Sequence, residues 1–555
     1  TIKGTSEVNT LTITAANGDS SSVIIQSLSS SPCFLLYNTN NLIIKNLTIK
    51  GVNTGVVSTA IKFQNNNRNI LITNNHITVS MNNPSSTTST DIMALYSYTS
   101  LDTNITISNN FINGSGGIYF YSQTSAMTSN INILNNRIEN IYYYGIYTYS
   151  TRVGLIKNNK IYQNPMAAIW GGGSGYGLYV YYSLGVTNTI TDISNNLIRG
   201  AFSYFTYLYY CRSNNRNNAY VLFTNNSLIK TGAGNVNYLL YAYSGQLQCV
   251  NNTFVNVGSG TISNMAYFYG NSSDNMNVSN NIFTSLTGTT NYLIYWSSTG
   301  NSTLDFNDYY TVNGNIAYHY NVGTYASLSS WQSAYPTYNV HSKNVHPHYI
   351  DSLNYTKPTN WYPLMCPRNE FVLADIDENP RTATTYMGCY ETLFANDAGL
   401  LNFISPTATS TGGDTTKIIV KLFNYGTSTL NSITCKYKVN GVLYPQVIFN
   451  NLNLAKHKDT NLTIGVFVPI VNNSDTIEAW CESPNGNVDQ NVYNDSIIII
   501  TKGCSMVLNG EYTVGNSTAD FTTIADALNA LKACGISGPV VFKLYNGTYS
   551  GFSID

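Results

Sequence analysis

A short pattern recurs ten times between Leu42 and Tyr309: an alternating apolar run, one or two asparagines, then a second short apolar run. The copies read LIIKNLTI, ILITNNHI, ITISNNFI, INILNNRI, GLIKNNKI, TDISNNLI, VLFTNNSL, LQCVNNTF, MNVSNNIF and STLDFNDY. Aligned on Asn46, Asn74, Asn109, Asn135, Asn158, Asn195, Asn225, Asn251, Asn280 and Asn307, they lie 23 to 37 residues apart, with a mean near 29. Self-similarity at such a period marks a solenoid, which grows along one axis and so escapes the size limit on a single core. Asparagine is poor inside a strand but tolerates the left-handed backbone of a tight corner, and its amide can bond to the same residue one coil away. The asparagines therefore mark a bend between two short strands. A third strand closes each coil, and repetition in register predicts an all-β parallel β-helix with three sheets.

The third strand carries pairs of tyrosines one residue apart, as in GIYFYS, GIYTYS, GLYVYYS and FTYLYYC. Successive side chains of a strand point to opposite faces, so one parity is tyrosine and the other is mainly Ile, Phe, Val, Leu and Ala. Burying the tyrosine parity would put the apolar set in water and strand many hydroxyls, so the tyrosines are expected outside. By coil they form two columns: Tyr96 with Tyr98, Tyr119 with Tyr121, Tyr147 with Tyr149, Tyr179 with Tyr181, Tyr207 with Tyr209, Tyr241 with Tyr243, and Tyr267 with Tyr269. Tyr318 with Tyr320 extends them, and one coil substitutes Tyr295 with Ser297. At a strand spacing of about 4.8 Å the rings should stack into an aromatic face about 40 Å long.

The coil NNLIIKNLTIKG, the stretch LDFNDYY followed by SLSSWQSAY, and ADIDENPRTATTYMGCYE carry a resemblance to the right-handed parallel β-helix surface proteins of Bacteroidetes-type bacteria, within the pectate-lyase-like superfamily. The last stretch resembles that family's closing motif at Asp375, Asp377, Pro380, Arg381, Gly388, Tyr390 and Glu391, and departs from it at Glu378, where the family has Gly, and at Met387 and Cys389. The resemblance implies a β-helix over residues 1–398, with the closing segment from about residue 311. Asp375, Asp377 and Glu378 read as a structural turn with Arg381 as ion-pair partner. Arg137, Lys157, Lys160, Arg199 and Lys230 follow the asparagine corners singly and read as solvated corner residues. Acids elsewhere in the repeats are scattered, so the paired carboxylates of a glycosidase, or the calcium-plus-base group of a lyase, cannot be assembled.

Beyond about Gly399 the chain reads as a sandwich to about residue 502: KIIVKLFNYG, ITCKYKVNG, HKDTNLTIGVFV, DTIEAWCES and DSIIIITKG, with Asn440-Gly441 as a hairpin turn. VKLFNYGTSTLNSITCKYKVNG resembles CARDB-like immunoglobulin-fold domains, which implies a spacer. Residues 503–555 begin differently. ADFTTIADALNALKACG predicts an amphipathic helix with Thr522 or Thr523 as N-cap, Ile524, Leu528 and Leu531 as its stripe and Gly535 as its stop, followed by a strand through Val541 and Phe542. In the similar proteins such a helix and strand open a β-helix. YNGTYSGFSID, with Phe552 and Ile554, would run directly into TIKGTSEVNTLTIT, with Ile2, Leu11 and Ile13, and restore that opening. The expectation is a head-to-tail junction, either covalent in a tandem array or between copies.

Charged residues are 10% of the chain and the formal net charge is −1, which excludes the electrostatic attraction that draws proteins to nucleic acid or anionic membranes. No apolar run approaches the roughly 20 residues of a membrane span. Nine cysteines show no CxxC and no zinc-like spacing with histidine; Cys435 with Cys481, Cys504 with Cys534, and Cys366 with Cys389 are candidate disulfides whose pairing the sequence leaves open. His341, His346 and His348 cluster around Pro347 without regular ligand spacing. No cofactor or metal is expected. The expected function is a non-enzymatic structural unit of an extracellular filament or surface adhesin, joined to copies of itself, with the tyrosine face contacting glycans, surfaces or neighbouring filaments; the alternative is a carbohydrate-binding or polysaccharide-degrading β-helix enzyme.

Overall fold

A computed structural model of the chain describes every residue except 1–8, 54–55, 82–92, 123–127, 166–174, 184–189, 212–220, 244–245, 273, 299, 350–356, 392–393, 505–507, 550 and 552–555. Two compact units emerge, residues 1–391 and 392–555. The first is a parallel β-helix. Its opening coil is β1 (Leu11–Thr14), β2 (Ile24–Gln26) and β3 (Phe34–Tyr37), and each later coil adds one parallel strand to each of three sheets of 11, 11 and 12 strands. The repeats from Leu42 onward account for ten of these coils, and β1 to β3 form an eleventh that precedes them. Its corner reads Ala15-Ala16 where later coils carry asparagine, so the sequence signal vanishes there although the register Ile13↔Ile44 is regular.

The core is a stack of identical positions. Ile44, Ile72, Ile107, Ile133, Ile156 and Ile193 succeed one another along the first sheet, all of them fully buried, and Phe254 and Phe283 do the same in the second, with ring centroids 4.7 Å apart. β-Branched side chains have few rotamers to lose and pack well against copies of themselves one strand away.

The asparagine pair splits its work. The first member of each pair, from Asn46 to Asn280, takes φ between +51 and +59 and makes the corner. The second member forms the ladder, correcting the expectation that corner asparagines bond to one another. From Asn75 through Asn110, Asn136, Asn159, Asn196, Asn226, Asn252, Asn281 to Asn307, each Nδ2 donates to the next coil's Oδ1 at 3.0–3.1 Å, and the same oxygen accepts the backbone N–H at 2.8–3.0 Å. The second Nδ2 hydrogen of Asn159 goes to the Ile133 carbonyl at 2.8 Å, and the other rungs repeat the bond. Asn307 belongs to this ladder, and Phe306, at φ +52, occupies the corner.

Beyond Asn307 the ladder continues onto the closing segment, where the Asn307 N–H donates to Ser342 Oγ at 3.0 Å. Helix α1 (Leu328–Ala334), capped by Ser327, inserts Leu328 and Trp331 into the end of the core. The closing segment then lies against the corners: Asn225 Nδ2 donates to the Ala374 carbonyl at 2.7 Å and Asn280 Nδ2 to the Pro367 carbonyl at 2.8 Å. Arg381 does not pair with the acidic turn. It forms a 2.8 Å ion pair with Glu391, both side chains buried, while the Asp375 carboxylate accepts the N–H groups of Asp377, Asn379 and Glu391. Glu378 sits at φ +68, a left-handed backbone conformation that favours glycine.

The second unit holds a sandwich. Ala398–Ser405, Thr416–Asn424 and Asp459–Phe467 form one antiparallel sheet, and Ser474–Glu482 joins Ile433–Val439 to Ser496–Cys504 in the other. Asn440 and Gly441, both at positive φ, turn the expected hairpin. Cys435 and Cys481 stand opposite each other in register yet are unbonded, because the Cys481 thiol turns toward the Ala398 carbonyl at 3.1 Å. Cys366 and Cys389 are also free thiols, since the strand partner of Cys366 is Thr385. Cys504 and Cys534 are bonded. That bond ties the last sandwich strand to α2 (Ile524–Cys534), which connects the parallel strands Leu508–Val514 and Ile536–Leu544. Thr523 and Asp526 form a reciprocal capping box, and Gly535 at φ +68 ends the helix.

Candidate interaction surfaces

The third sheet places the apolar parity inside: Ile118, Phe120, Ile146, Leu178, Val180 and Phe268 are buried. The tyrosines stand outside in strict register. Tyr96, Tyr119, Tyr147, Tyr179, Tyr207, Tyr241, Tyr267, Tyr295 and Tyr318 form one column, with centroid separations of 4.4–5.2 Å. Tyr98, Tyr121, Tyr149, Tyr181, Tyr209, Tyr243 and Tyr269 form the second, at 4.3–4.9 Å, and Ser297 ends it. Tyr320 lies beyond the strand, in the turn after His319.

A third column, Tyr144, Tyr176, Tyr204 and Tyr238, escaped the pairwise reading; its signal was a tyrosine three residues before the first column in four consecutive copies. These rings meet the first column edge to face, Tyr176 with Tyr179 at 88° and Tyr204 with Tyr207 at 89°. On the other flank Tyr182 and Tyr210 stack at 5.1 Å and meet the second column at steep angles, although both hold φ near +51, a conformation that costs a bulky residue about 1–2 kcal/mol. Desolvation, and then the charge of neighbouring phenolates, pushes the hydroxyls of Tyr96 and Tyr267 in the first column and of Tyr176 in the flanking column up to about 12. The strands from Met93 to Tyr318 that carry these rings contain no Lys, Arg, Asp or Glu.

The second surface lies under α2. Ile524, Leu528, Leu531, Ile536, Val540 and Phe542 line an apolar cleft of about 350 Å³. Of the residues expected at a junction, Ile524, Leu528, Leu531 and Phe542 meet there. Val541 does not: neighbouring strand residues face opposite ways, and it is 48% exposed. Leu11 and Ile13 pack on the open side of the β-helix core, where β1, β2 and β3 are the end strands of their sheets among the described residues. Ile2, Phe552 and Ile554 lie outside the described residues.

The corner cations are not all solvated and single. Register sets Arg137 beside Lys160 and Tyr162 beside Arg199, and the Arg137 guanidinium, paired with Glu139, lies 5.5 Å from the Tyr162 ring centre. Lys230 is buried, donating to the Gly232 carbonyl at 3.0 Å and to that of Ser259, and burial pulls its ammonium down to about 8. His341 bonds Asp305 at 2.7 Å, and His346 and His348 stack on each other. Among the described residues no group of three or more His, Cys, Asp or Glu is placed to hold a metal ion, and no helix is long and apolar enough to cross a membrane.

No protein-family model and no curated protein matches the chain. Among solved structures, the chain is similar to a CARDB domain from Pyrococcus furiosus in complex with di-metal ions, at 18% identity over 21% of this chain and all of that one, with a TM-score of 0.18. The solution NMR structure of that domain matches at 16% identity over the same shares, with a TM-score of 0.17. Scores this low carry no argument about function.

Proposed function

We propose that the chain is a structural unit of an extracellular filament or surface adhesin, in which the element formed by α2 and its two strands completes the open end of another β-helix, and the tyrosine face provides adhesion or bundling. The observation that supports the junction most is the cleft under α2. A helix and a two-stranded parallel sheet leave Ile536 57% and Leu544 49% exposed around it. Two strands rarely stand alone, and open sheet ends with exposed apolar residues are liabilities that partners cover. A further parallel strand and the first turn of a β-helix core fit both needs at once, and β1 with Leu11 and Ile13 has the matching strand direction and chemistry. The reading requires no catalytic step.

The test is Leu528→Asp with Leu531→Asp, both changes lying in the cleft. Electron micrographs should show end-to-end strings of the wild-type chain and single particles of the variant, with the sandwich still folded by circular dichroism. Strings of undiminished length from the variant would contradict the junction.

A further inference from the structure

The geometry points to the occupant of the tyrosine face: we infer that it is the tyrosine face of a second copy of this chain. The inference rests on reading that face as an interaction surface. Ring orientation comes first. Tyr119 and Tyr147 are 5° from parallel, Tyr147 and Tyr179 4°, and Tyr179 and Tyr207 4°, with each ring sandwiched by the next along the column. Both faces of an interior ring are therefore occupied by its neighbours. What reaches solvent is ring edge and hydroxyl, so the face offers little for a sugar that stacks on exposed aromatic planes. Edges are the electropositive part of an aromatic quadrupole, and the favoured partner for them is another ring met edge to face or a hydroxyl oxygen. A second tyrosine face, its own ring planes likewise occupied, meets those edges and hydroxyls with hydroxyl oxygens at the same strand spacing.

Size and charge agree. Eight steps of about 4.8 Å make the face about 38 Å long, and with flanking columns it is about 20 Å wide, an area on the order of 750 Å² against the roughly 800 Å² per partner of a stable interface. Its strands carry no charged residue, so two copies meet without like-charge repulsion, and nothing on the face selects a charged partner.

Sedimentation velocity of the full chain carrying Leu528→Asp and Leu531→Asp isolates lateral pairing from end-to-end assembly. That protein should dimerise by about 100 μM, and adding Tyr149→Lys, Tyr181→Lys and Tyr209→Lys should weaken the dimer by at least about 100-fold, because like charges would then face each other. A readout that needs no lysine variant is photo-oxidative cross-linking with a ruthenium complex and persulfate: two phenols each lose an electron and a proton to the oxidant, and their radicals join through ortho carbons. Covalent dimers should map to Tyr149, Tyr181 and Tyr209. A protein monomeric at all concentrations, a dimer unchanged by the folded lysine variant, cross-links mapping elsewhere, or retention of a monomer on cellulose, chitin or pectin would each overturn the inference. Persistence of strings in the Leu528 and Leu531 variant would instead contradict the end-to-end junction and leave the lateral result readable.

Discussion

Asn159 and Tyr147 each meet their own kind one strand above and below, yet one is interior and the other is surface. The Asn159 amide is fully buried and every polar atom on it is used: Oδ1 accepts two donors from Asn136, and Nδ2 reaches the Ile133 carbonyl and Asn196 Oδ1. The Tyr147 ring is stacked on both faces but keeps its edge toward water. A ladder of amides closes upon itself and has nothing left for a partner. A ladder of phenols satisfies only its rings. Periodicity in a solenoid thus builds either cohesion or a binding face, and what separates them is whether the polar atoms are spent inside the column.

The largest effect should come from breaking the closed ladder. Replacing Asn159 and Asn196 by Val orphans three buried donors, the N–H and Nδ2 of Asn136 and the N–H of residue 159, at about 1–3 kcal/mol per site, and should destabilise the β-helix by about 3–9 kcal/mol, read as a lower urea midpoint. Next is pH. The Tyr96 and Tyr267 phenols ionise near 12 when folded and near 10 when unfolded, so the folded state binds more protons between those values. Stability should be fully present below pH 10 and fall as pH rises from about 10 to 12, measured as a falling thermal midpoint. Changing Tyr147, Tyr149, Tyr179 and Tyr181 together to Ser removes cross-strand pairs worth about 0.2–1 kcal/mol each. Folding should remain cooperative with a loss of about 1–6 kcal/mol over the six pairs removed, while bundling weakens; global unfolding would place these rings in the core. The smallest effect is Tyr182→Asn, which exchanges left-handed strain of about 1–2 kcal/mol for a stacked contact of about 0.5–1.5 kcal/mol. The net change should lie within about 1 kcal/mol, checked by urea unfolding.

The coil, its three sheets, the outward parity of the tyrosines and the capped helix at Thr523 were all legible, because each depends on local periodicity or on a turn residue with one physical role. What was not legible depends on neighbours far along the chain. Asn158 and Asn159 look alike in sequence, and only the stacked coils assign one to the corner and the other to the ladder. Arg381 and Glu391 are ten residues apart, and the turn acids beside Arg381 made a local pair look natural until burial favoured Glu391. Lys230, like the exposed Lys160, is a lone cation after an asparagine pair, but a glycine-containing loop folds carbonyls around its ammonium. The Tyr144 column shows in the sequence only as a step of three, which the two-residue period of a strand does not pick out.

The measurement closest to the central claim is hydroxyl-radical footprinting of the full chain at low concentration, read by mass spectrometry over aromatic residues of one sheet. Tyr98, Tyr121, Tyr149, Tyr181 and Tyr209 should be labelled readily, while Phe120, Phe268 and Trp296, on the opposite parity of strands in the same sheet, should be protected. Raising the concentration should protect the tyrosines as copies pair. Labelled phenylalanines beside protected tyrosines in the dilute protein would reverse the faces of the sheet and contradict the account.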